Sequence, residues 1–302
     1  MKRYSIIVPN RNNPELLQRA LTSIPQREDT EVIVVDDASD PSCIDMDHYP
    51  GSDRPDCQVI FTTEGKGAGY ARNVGLEHAG GEWLVFLDSD DFFMDGFLSL
   101  MDVHADAPED IVFFGITSVC SDTLEPSPRH ESRTVPINRY ATRPALLAFY
   151  CRHLWPEPWG KMIRRSMVME NGIRFDQTAC ANDVLFSARI GRAARTVCYD
   201  PGVLYCVTSR EGSLSESLAV NPKKTTDRLT TYWRLQQLFD REGIHLYYFY
   251  VFYKDCIGMG GEPARRARAF VRENRIPGWK IRLNSLRQVL RKRLRIGVPY
   301  CP

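Results

Sequence analysis

The sequence predicts an α/β protein with a mostly parallel central sheet that is covered by helices on both faces. Short, nearly continuous apolar runs alternate with segments whose apolar residues recur at helical spacing, as in sheets that are buried on both faces. Acidic residues follow several of these runs directly. In open parallel sheets, ligands bind beyond the carboxyl ends of the strands, so these acidic positions predict a ligand site.

The predicted elements alternate regularly in the first half of the chain. Strands are expected at 4–9, 31–37, 57–62, 82–88 and 110–117, and helices at 14–24, 67–79 and 95–105. Pro14 suits the first turn of a helix, where an amide hydrogen would be unpaired in any case. Residues 118–145 are rich in proline and polar side chains and are expected to form a loop or an excursion from the alternating pattern.

Two domains are expected, an α/β domain of residues 1–220 and a helical C-terminal region of residues 221–302. The second region contains a helix-like segment at 225–256 that is rich in Tyr and Phe. Residues 265–302 hold twelve Lys and Arg against one Glu, a balance of +11, so the preceding residues carry −10 of the total charge of +1. A basic end on an acidic body indicates contact with phosphates.

The composition of the 302 residues, 43% hydrophobic and 25% charged, is that of a globular protein. No apolar run is long enough to span a membrane, and the start MKRYSIIVPNRNN lacks a signal-peptide core, so a cytoplasmic location is expected. The nine cysteines are scattered without a C-x-x-C pair, which favours reduced thiols over disulfides or a zinc site.

The segment 280–296 predicts a basic amphipathic helix, because its leucines recur every three or four residues among seven arginines and lysines. Such a helix suits the anionic inner face of a membrane. The alternative is a helix that packs its leucines on the body of the protein. No nucleic-acid-binding motif is present, so nucleic acid is not an expected partner.

Three carboxylates, Asp88, Asp90 and Asp91, follow the apolar run 83–87. They repel one another unless a cation lies among them. The Asp-x-Asp spacing at a strand end places two carboxylates on one side of the backbone, and this leaves a divalent ion open to substrate phosphates and water. The alternative is a solvated turn or a helix cap, where Asp is common.

Taken together, four segments resemble the family 2 glycosyltransferases, whose fold is called GT-A. SIIVPNRNNPELLQRALTSI resembles the opening strand and helix, EVIVVDDASD the second strand, and GAGYARNVGLEHAGGEWLVFLDSDDFF the segment that ends in the D-x-D of the family. WGKMIRRSMVMENGIRFDQTACANDVLFSARI, at 159–190, resembles the acceptor half of capsule and lipopolysaccharide-type members. Arg11 is a departure, because many members have an aromatic residue before the asparagine that matches Asn12.

The resemblance implies roles for the residues that match these motifs. Asp90 would be the most direct ligand of Mn²⁺ or Mg²⁺, with Asp88 on the metal or the ribose. Asp183 matches the catalytic base, although it could instead cap the following helix. Trp159 and Lys161 would line the acceptor cleft, and Trp159 suits the core equally well. The residues implied in binding the donor nucleotide are Pro9, Asn12, Asp36, Asp37, Arg72, Asp88, Ser89 and Arg210.

The implied reaction is metal-dependent, inverting transfer of a sugar from a nucleotide-diphosphate donor, expected to be a UDP-sugar. The acceptor would be a hydroxyl of a glycan or lipid-linked molecule in cell-surface polysaccharide synthesis. A catalytically inactive nucleotide-sugar-binding subunit is one alternative, but it would be expected to lack Asp90 or Asp183. A sugar nucleotidyltransferase is the other. It would carry a glycine-rich loop after the first strand, where this chain reads VPNRNNPE.

Overall fold

The computed structural model describes residues 2–210 and 222–284. The chain divides into two compact units. The first contains Met1–Gln177 and Phe186–Arg210, and the second contains Thr178–Leu185 and Glu211–Pro302. The boundary expected near residue 220 stays a prediction.

The first unit is built on a mixed sheet. Its strands are β1 (Tyr4–Asn10), β2 (Thr30–Asp37), β3 (Cys57–Thr62), β4 (Trp83–Phe86), β5 (Phe92–Phe93), β6 (Ile111–Cys120), β7 (Lys161–Arg164) and β8 (Val197–Ser209), in the spatial order β3-β2-β1-β4-β7-β6-β8-β5. The four neighbouring strands β3, β2, β1 and β4 are parallel to one another, and β6 is parallel to β8. β7 pairs antiparallel with β4 and β6, and β5 pairs antiparallel with β8. The mostly parallel sheet predicted from the sequence is confirmed.

Helices follow the strands in the predicted alternation. They are α1 (Pro14–Thr22), α2 (Ala68–His78), α3 (Phe97–Asp102), α4 (Glu131–Tyr140), α5 (Pro144–Leu154), α6 (Arg165–Glu170), α7 (Val184–Ala193), α8 (Pro222–Arg241), α9 (Tyr248–Met259) and α10 (Gly261–Glu273). In the part of the chain that the structure describes, no helix combines the length and apolar character needed to cross a bilayer.

Close packing of α2 on the sheet fixes the helix that carries Arg72. All seven residues of β1 are buried, because the strand lies inside the sheet and is covered by helices. A Cβ added to Gly75 of α2 would lie only 2.4 Å from Cγ2 of Ile7 in β1. Glycine at this position therefore lets the helix backbone approach the strand closely.

A loop or an excursion was expected at 118–145, and the prediction of a loop was wrong for most of this segment. β6 extends to Cys120, and α4 occupies Glu131–Tyr140 despite Pro136 inside it. Tertiary packing overrides the composition, since Ile137 and Tyr140 are buried and the guanidinium of Arg133 donates 2.8 Å to the carboxylate of Glu157. This ion pair is formed with a residue beyond the end of α5, so local composition could not predict it.

The second unit contains helices α8 to α10, which confirms the helical C-terminal extension. The segment 225–256 was expected to be one helix-like segment, and the structure divides it between α8 and α9. Gly243, with a φ of +67°, lies between the two helices. The helices share an apolar core that is formed by Leu229, Phe249, Tyr250, Phe252, Cys256, Ala267, Phe270 and Ile276.

Candidate donor and metal site

Predicted site residues from three chain segments lie at one edge of the sheet. β1, β2 and β4 are parallel neighbours, so their carboxyl ends meet at the same edge. Asn12 follows the first of these strands, Asp37 ends the second, and Asp88 follows the third. The structure thus brings these three chain segments to the position where parallel sheets bind ligands.

Residues 88–91 form an acidic turn at this edge. One carboxylate oxygen from each of Asp88, Asp90 and Asp91 lies within 4.8 Å of the other two. The N–H of Asp91 donates to the carbonyl of Asp88 at 3.0 Å and closes the turn. The carbonyl of Asp90 accepts hydrogen bonds from Arg19 of α1 at 2.6 Å and from Thr208 Oγ1 of β8 at 2.8 Å.

Asp91 is the buried member of the acidic turn. Its carboxylate accepts hydrogen bonds from the N–H of Thr208 at 2.6 Å and from the Tyr205 hydroxyl at 2.7 Å. The same hydroxyl oxygen accepts from the N–H of Asp88 at 3.1 Å. The Tyr205 ring is fixed by Trp159, which stacks on it at a centroid distance of 5.2 Å. Asp91 therefore attaches the turn to β8. This role differs from the solvated helix cap that was the alternative interpretation of these acids.

Burial and mutual repulsion disfavour the ionised form of the carboxylates in the acidic turn. Burial raises the pKa of Asp90, and the Asp88 carboxylate raises it further, whereas Arg210 and Arg129 lower it. Burial also raises the pKa of Asp91 well above the usual range, with the neighbouring carboxylates adding to the effect. Within the described residues, the hydrogen bonds that Asp90 accepts reach its backbone carbonyl, and its carboxylate accepts none from another residue. A set of carboxylate oxygens of this kind fits Mn²⁺ or Mg²⁺.

Arg72 lies directly beside the acidic turn. Its guanidinium donates to Asp88 Oδ1 at 2.5 Å and lies over the ring of Phe175 at 5.4 Å. The next residue, Asn73, donates to the Phe175 carbonyl at 2.9 Å and accepts from its N–H at 2.8 Å. These two hydrogen bonds fix the backbone of Phe175, whose ring packs against the guanidinium of Arg72.

The two acids at the end of β2 are engaged in internal hydrogen bonds. Asp36 accepts from the Tyr49 hydroxyl and Ser39 Oγ, both at 2.6 Å. Asp37 accepts from the N–H groups of Lys66 at 3.2 Å and Gly67 at 2.5 Å. Gly67 has a φ of +96°, which suits glycine. Asp37 thus holds the loop that leads into α2 and Arg72.

Comparison with known sequences shows which protein family this chain matches. The profile described as glycosyl transferase family 2 matches residues 5–171, more than half of the chain. The chain belongs to glycosyl transferase family 2. It is a glycosyltransferase with the GT-A fold, as the resemblance implied.

Relatives of this family 2 glycosyltransferase act on different acceptors according to their names. The cholesterol galactosyltransferase of Borreliella burgdorferi is 26% identical over 257 residues, which are 80% of this chain and 69% of that protein. TarS of Staphylococcus aureus, a poly(ribitol-phosphate) beta-N-acetylglucosaminyltransferase, is 27% identical over 234 residues. That match covers 74% of this chain and 38% of TarS, so the chain spans well under half of that relative.

Solved structures share the fold of this family 2 glycosyltransferase. TarS residues 1–349 in complex with UDP-GlcNAc gives a TM-score of 0.58 at 22% identity, covering 87% of this chain and 69% of that chain. PcManGT, a mannosyltransferase from Pyrobaculum calidifontis solved with GDP-Man and Mn²⁺, gives 0.58 at 18% identity, covering 96% and 86%. At these identities the likeness establishes the fold alone.

Several predicted site residues are also part of the framework of the glycosyltransferase. Pro9 lies in β1 opposite Val35 of β2. Asn12 has a φ of +57°, and its Oδ1 accepts from the N–H of Asp40 at 2.7 Å. Ser89 is half-buried within the acidic turn. The donor-binding roles of these residues stay predictions.

The residues predicted for the acceptor cleft lie in the interior. Trp159 is 8% exposed and Lys161 is 1% exposed. The ammonium group of Lys161 donates to the Trp155 carbonyl at 2.9 Å and lies over the Phe113 ring. A buried ammonium that is engaged in this way holds neighbouring elements together. An acceptor role for either residue is untested.

Asp183, the predicted base, is half-buried and directly precedes α7. It belongs to the segment 178–185, which α8 holds in place within the second unit. Asp227 of α8 accepts from the N–H of Ala179 at 3.0 Å. The Cys180 thiol also donates to the Lys224 carbonyl at 3.3 Å.

Two other predictions concern the ends of described segments. Arg210, predicted to bind the donor, is exposed immediately after β8. Of the predicted amphipathic segment 280–296, only 280–284 lies inside them.

Sequence reasoning missed the residues that support the acidic turn from a distance. Arg19, Tyr205 and Thr208 lie 69 or more positions from it in the chain, and no local motif marks them. Asn73, by contrast, could have been noticed in the sequence, because it directly follows Arg72 within the segment that resembles the family. Its partner Phe175 is 102 positions away, so the contact itself could not be read from the sequence.

Proposed function

We propose that this family 2 glycosyltransferase transfers a sugar from a nucleotide-diphosphate donor to a hydroxyl group, with a divalent metal ion and with inversion at the anomeric carbon. The observation that carries the proposal is the acidic turn, in which three carboxylates approach within 4.8 Å beside the guanidinium of Arg72. Such an arrangement fits a dication and phosphates, because the dication balances the charge of the carboxylates, and Arg72 and the dication balance the charge of the phosphates.

The acidic turn assigns distinct tasks to its residues. Asp90 and Asp88 would hold Mn²⁺ or Mg²⁺. When bound, such an ion stabilises the charge of a leaving diphosphate without proton transfer. Arg72 offsets further phosphate charge from the start of α2. Arg210, whose charge lowers the pKa of Asp90, is suited to the same task from the end of β8.

Asp183 is proposed as the base that takes the proton from the attacking hydroxyl. A carboxylate in this role and displacement of the diphosphate in line with the attack give a single step with inversion. The sequence segment ANDVLF and its resemblance to the family support this assignment. Inversion is tested by NMR of the product, because an α-configured donor would yield a β-linkage.

The donor and acceptor are proposed more narrowly from the relatives. UDP is the proposed carrier, following TarS, whose structure contains UDP-GlcNAc. A glycan or lipid-linked acceptor in cell-surface polysaccharide synthesis is proposed, since TarS is named for a poly(ribitol-phosphate) acceptor. PcManGT contains GDP-Man, so a donor screen has to include GDP-sugars.

A peripheral position at the cytoplasmic face of the membrane is proposed through residues 280–296. The described residues at the start of this segment and just before it support the proposal, since Trp279 is 62% exposed, Leu283 is 37% exposed, and the basic residues Arg275 and Arg282 are exposed as well. An amphipathic segment of this kind binds anionic headgroups. Flotation with vesicles that contain phosphatidylglycerol should carry the protein. Equal flotation with neutral vesicles would contradict charge-driven binding.

The test of the proposed function is a screen of UDP- and GDP-sugars for hydrolysis with Mn²⁺, with Mg²⁺ and with EDTA. At least one donor should be hydrolysed with metal and not with EDTA. Asp90→Asn should abolish this hydrolysis. Asp95→Asn is the matched control, because Asp95 is exposed four residues after Asp91. Hydrolysis that persists at the same rate in EDTA would refute the metal requirement.

A further inference from the structure

Tyr205 makes the contact that connects both ends of the acidic turn. Its hydroxyl donates to the Asp91 carboxylate at 2.7 Å and accepts from the Asp88 N–H at 3.1 Å. One oxygen atom therefore fixes the position of the first residue of the turn relative to the last. Because a tyrosine hydroxyl has a single hydrogen, its donation to Asp91 leaves a lone pair for Asp88.

The Tyr205 ring has little freedom to move. It is 0% exposed and contacts two aromatic rings, Trp159, stacked at 5.2 Å with an interplanar angle of 13°, and Phe93, which it meets edge-on at 5.9 Å. Burial and these two ring contacts keep the hydroxyl at one position. The hydroxyl thus provides a fixed point in the interior to which the turn is attached.

Thr208 attaches the same turn at two further points. Its N–H donates to Asp91 at 2.6 Å, and its hydroxyl donates to the Asp90 carbonyl at 2.8 Å. Tyr205 and Thr208 are three residues apart in β8, and the strand leads directly to Arg210. The end of β8 therefore sets the backbone geometry of all three acidic residues.

We propose that Tyr205, Thr208 and Asp91 are positioning residues that hold Asp88 and Asp90 in the arrangement that binds the metal ion. The proposal rests on the metal site of the proposed function and adds a division of labour within it. Asp91, with its carboxylate engaged by β8, acts through the turn. Asp90, whose carboxylate accepts no hydrogen bond from any other residue that the structure describes, would contact the ion. Outer groups of this kind tune metal affinity because they orient the ligands.

The test compares Tyr205→Phe with Tyr199→Phe. Both changes remove one hydroxyl from β8, but Tyr199 makes no hydrogen bond to the acidic turn. Free Mn²⁺ is measured by electron paramagnetic resonance during titration of the protein with UDP present. The Kd for Mn²⁺ should rise about tenfold or more in Tyr205→Phe, as is typical when an outer-shell partner is lost. It should stay within about twofold of wild type in Tyr199→Phe.

Turnover provides a readout that a general loss of structure would not give. The Mn²⁺ concentration for half-maximal rate should rise by the same factor in Tyr205→Phe, whereas kcat at saturating Mn²⁺ should approach the wild-type value. A folded Tyr205→Phe protein that binds Mn²⁺ as wild type does would overturn the inference. So would a loss of kcat that added Mn²⁺ does not restore.

Thr208→Val decides the question if Tyr205→Phe does not fold. The change removes only the hydroxyl that donates to the Asp90 carbonyl, and the N–H bonded to Asp91 remains. A several-fold weaker Mn²⁺ affinity supports the inference, and an unchanged affinity overturns it. A wild-type protein without Mn²⁺ binding in the presence of UDP would overturn both this inference and the proposed metal site. Normal wild-type binding with unaffected variants would overturn this inference alone.

Discussion

Asn73→Ala should destabilise the first unit, because the Asn73 side chain satisfies both backbone groups of Phe175. Asn73 is 8% exposed, and its amide makes hydrogen bonds of 2.9 Å and 2.8 Å to that residue. Each buried polar group left unpaired costs about 1–3 kcal/mol, and water that enters the space of the amide reduces the cost. The two groups together predict a loss of about 3 kcal/mol, which is roughly 6–12 °C in the unfolding midpoint.

Differential scanning calorimetry measures this effect, with Asn171→Ala as the control. Asn171 is exposed, and its amide makes a single 2.8 Å bond to the carbonyl of Met167. A surface change of this kind should alter the unfolding free energy by about 0.5 kcal/mol, or roughly 1–2 °C. An Asn73→Ala midpoint that matches the control would show that the contact with Phe175 does not stabilise the fold.

Three further predictions concern chemistry, charge and packing. Asp183→Asn should abolish transfer and leave UDP binding largely intact in calorimetry, because the proposed base acts on the acceptor; undiminished turnover would remove Asp183 from the mechanism. Since burial raises the pKa of Asp91, its proton stabilises the fold at low pH, and this contribution is lost as the pH rises through the raised pKa. In metal-free urea titrations, wild type should therefore lose stability relative to Asp91→Asn as the pH rises, and a constant difference would contradict this. Gly75→Ala should cost about 1–3 kcal/mol, because the new Cβ would meet Ile7 at 2.4 Å, and unchanged urea unfolding would exclude the clash.

The parallel half of the sheet could be predicted because its signals are local. Each apolar run from β1 to β4 is short and is bounded by polar residues, and helical patterns follow the runs of β1, β3 and β4. The structure places strands at all four runs. The acids after β2 and β4 therefore fell at the correct edge of the sheet. Local patterns failed at α4, where the Arg133–Glu157 pair and the burial of Ile137 stabilise a helix that its composition disfavours.

The tasks of individual acids could not be predicted from the sequence. Asp36 and Asp91 stand in the same kind of motif as Asp90, but their carboxylates are occupied by Tyr49 and Tyr205. Tyr205 is 114 positions from Asp91 and Tyr49 is 13 positions from Asp36, and which acid each tyrosine engages is decided by tertiary packing. A pattern of carboxylates therefore predicts where a metal site lies, whereas the hydrogen bonds distinguish its ligands from its supports.

The central claim is that the acidic turn binds a divalent ion together with the diphosphate of the donor. Isothermal titration of UDP in the presence and absence of Mn²⁺ tests it most directly, on wild type, Asp90→Ala and the control Asp95→Ala. Mn²⁺ should strengthen UDP binding to wild type and to the control, and should have no effect on Asp90→Ala. Equal enhancement by Mn²⁺ in all three proteins would contradict the claim.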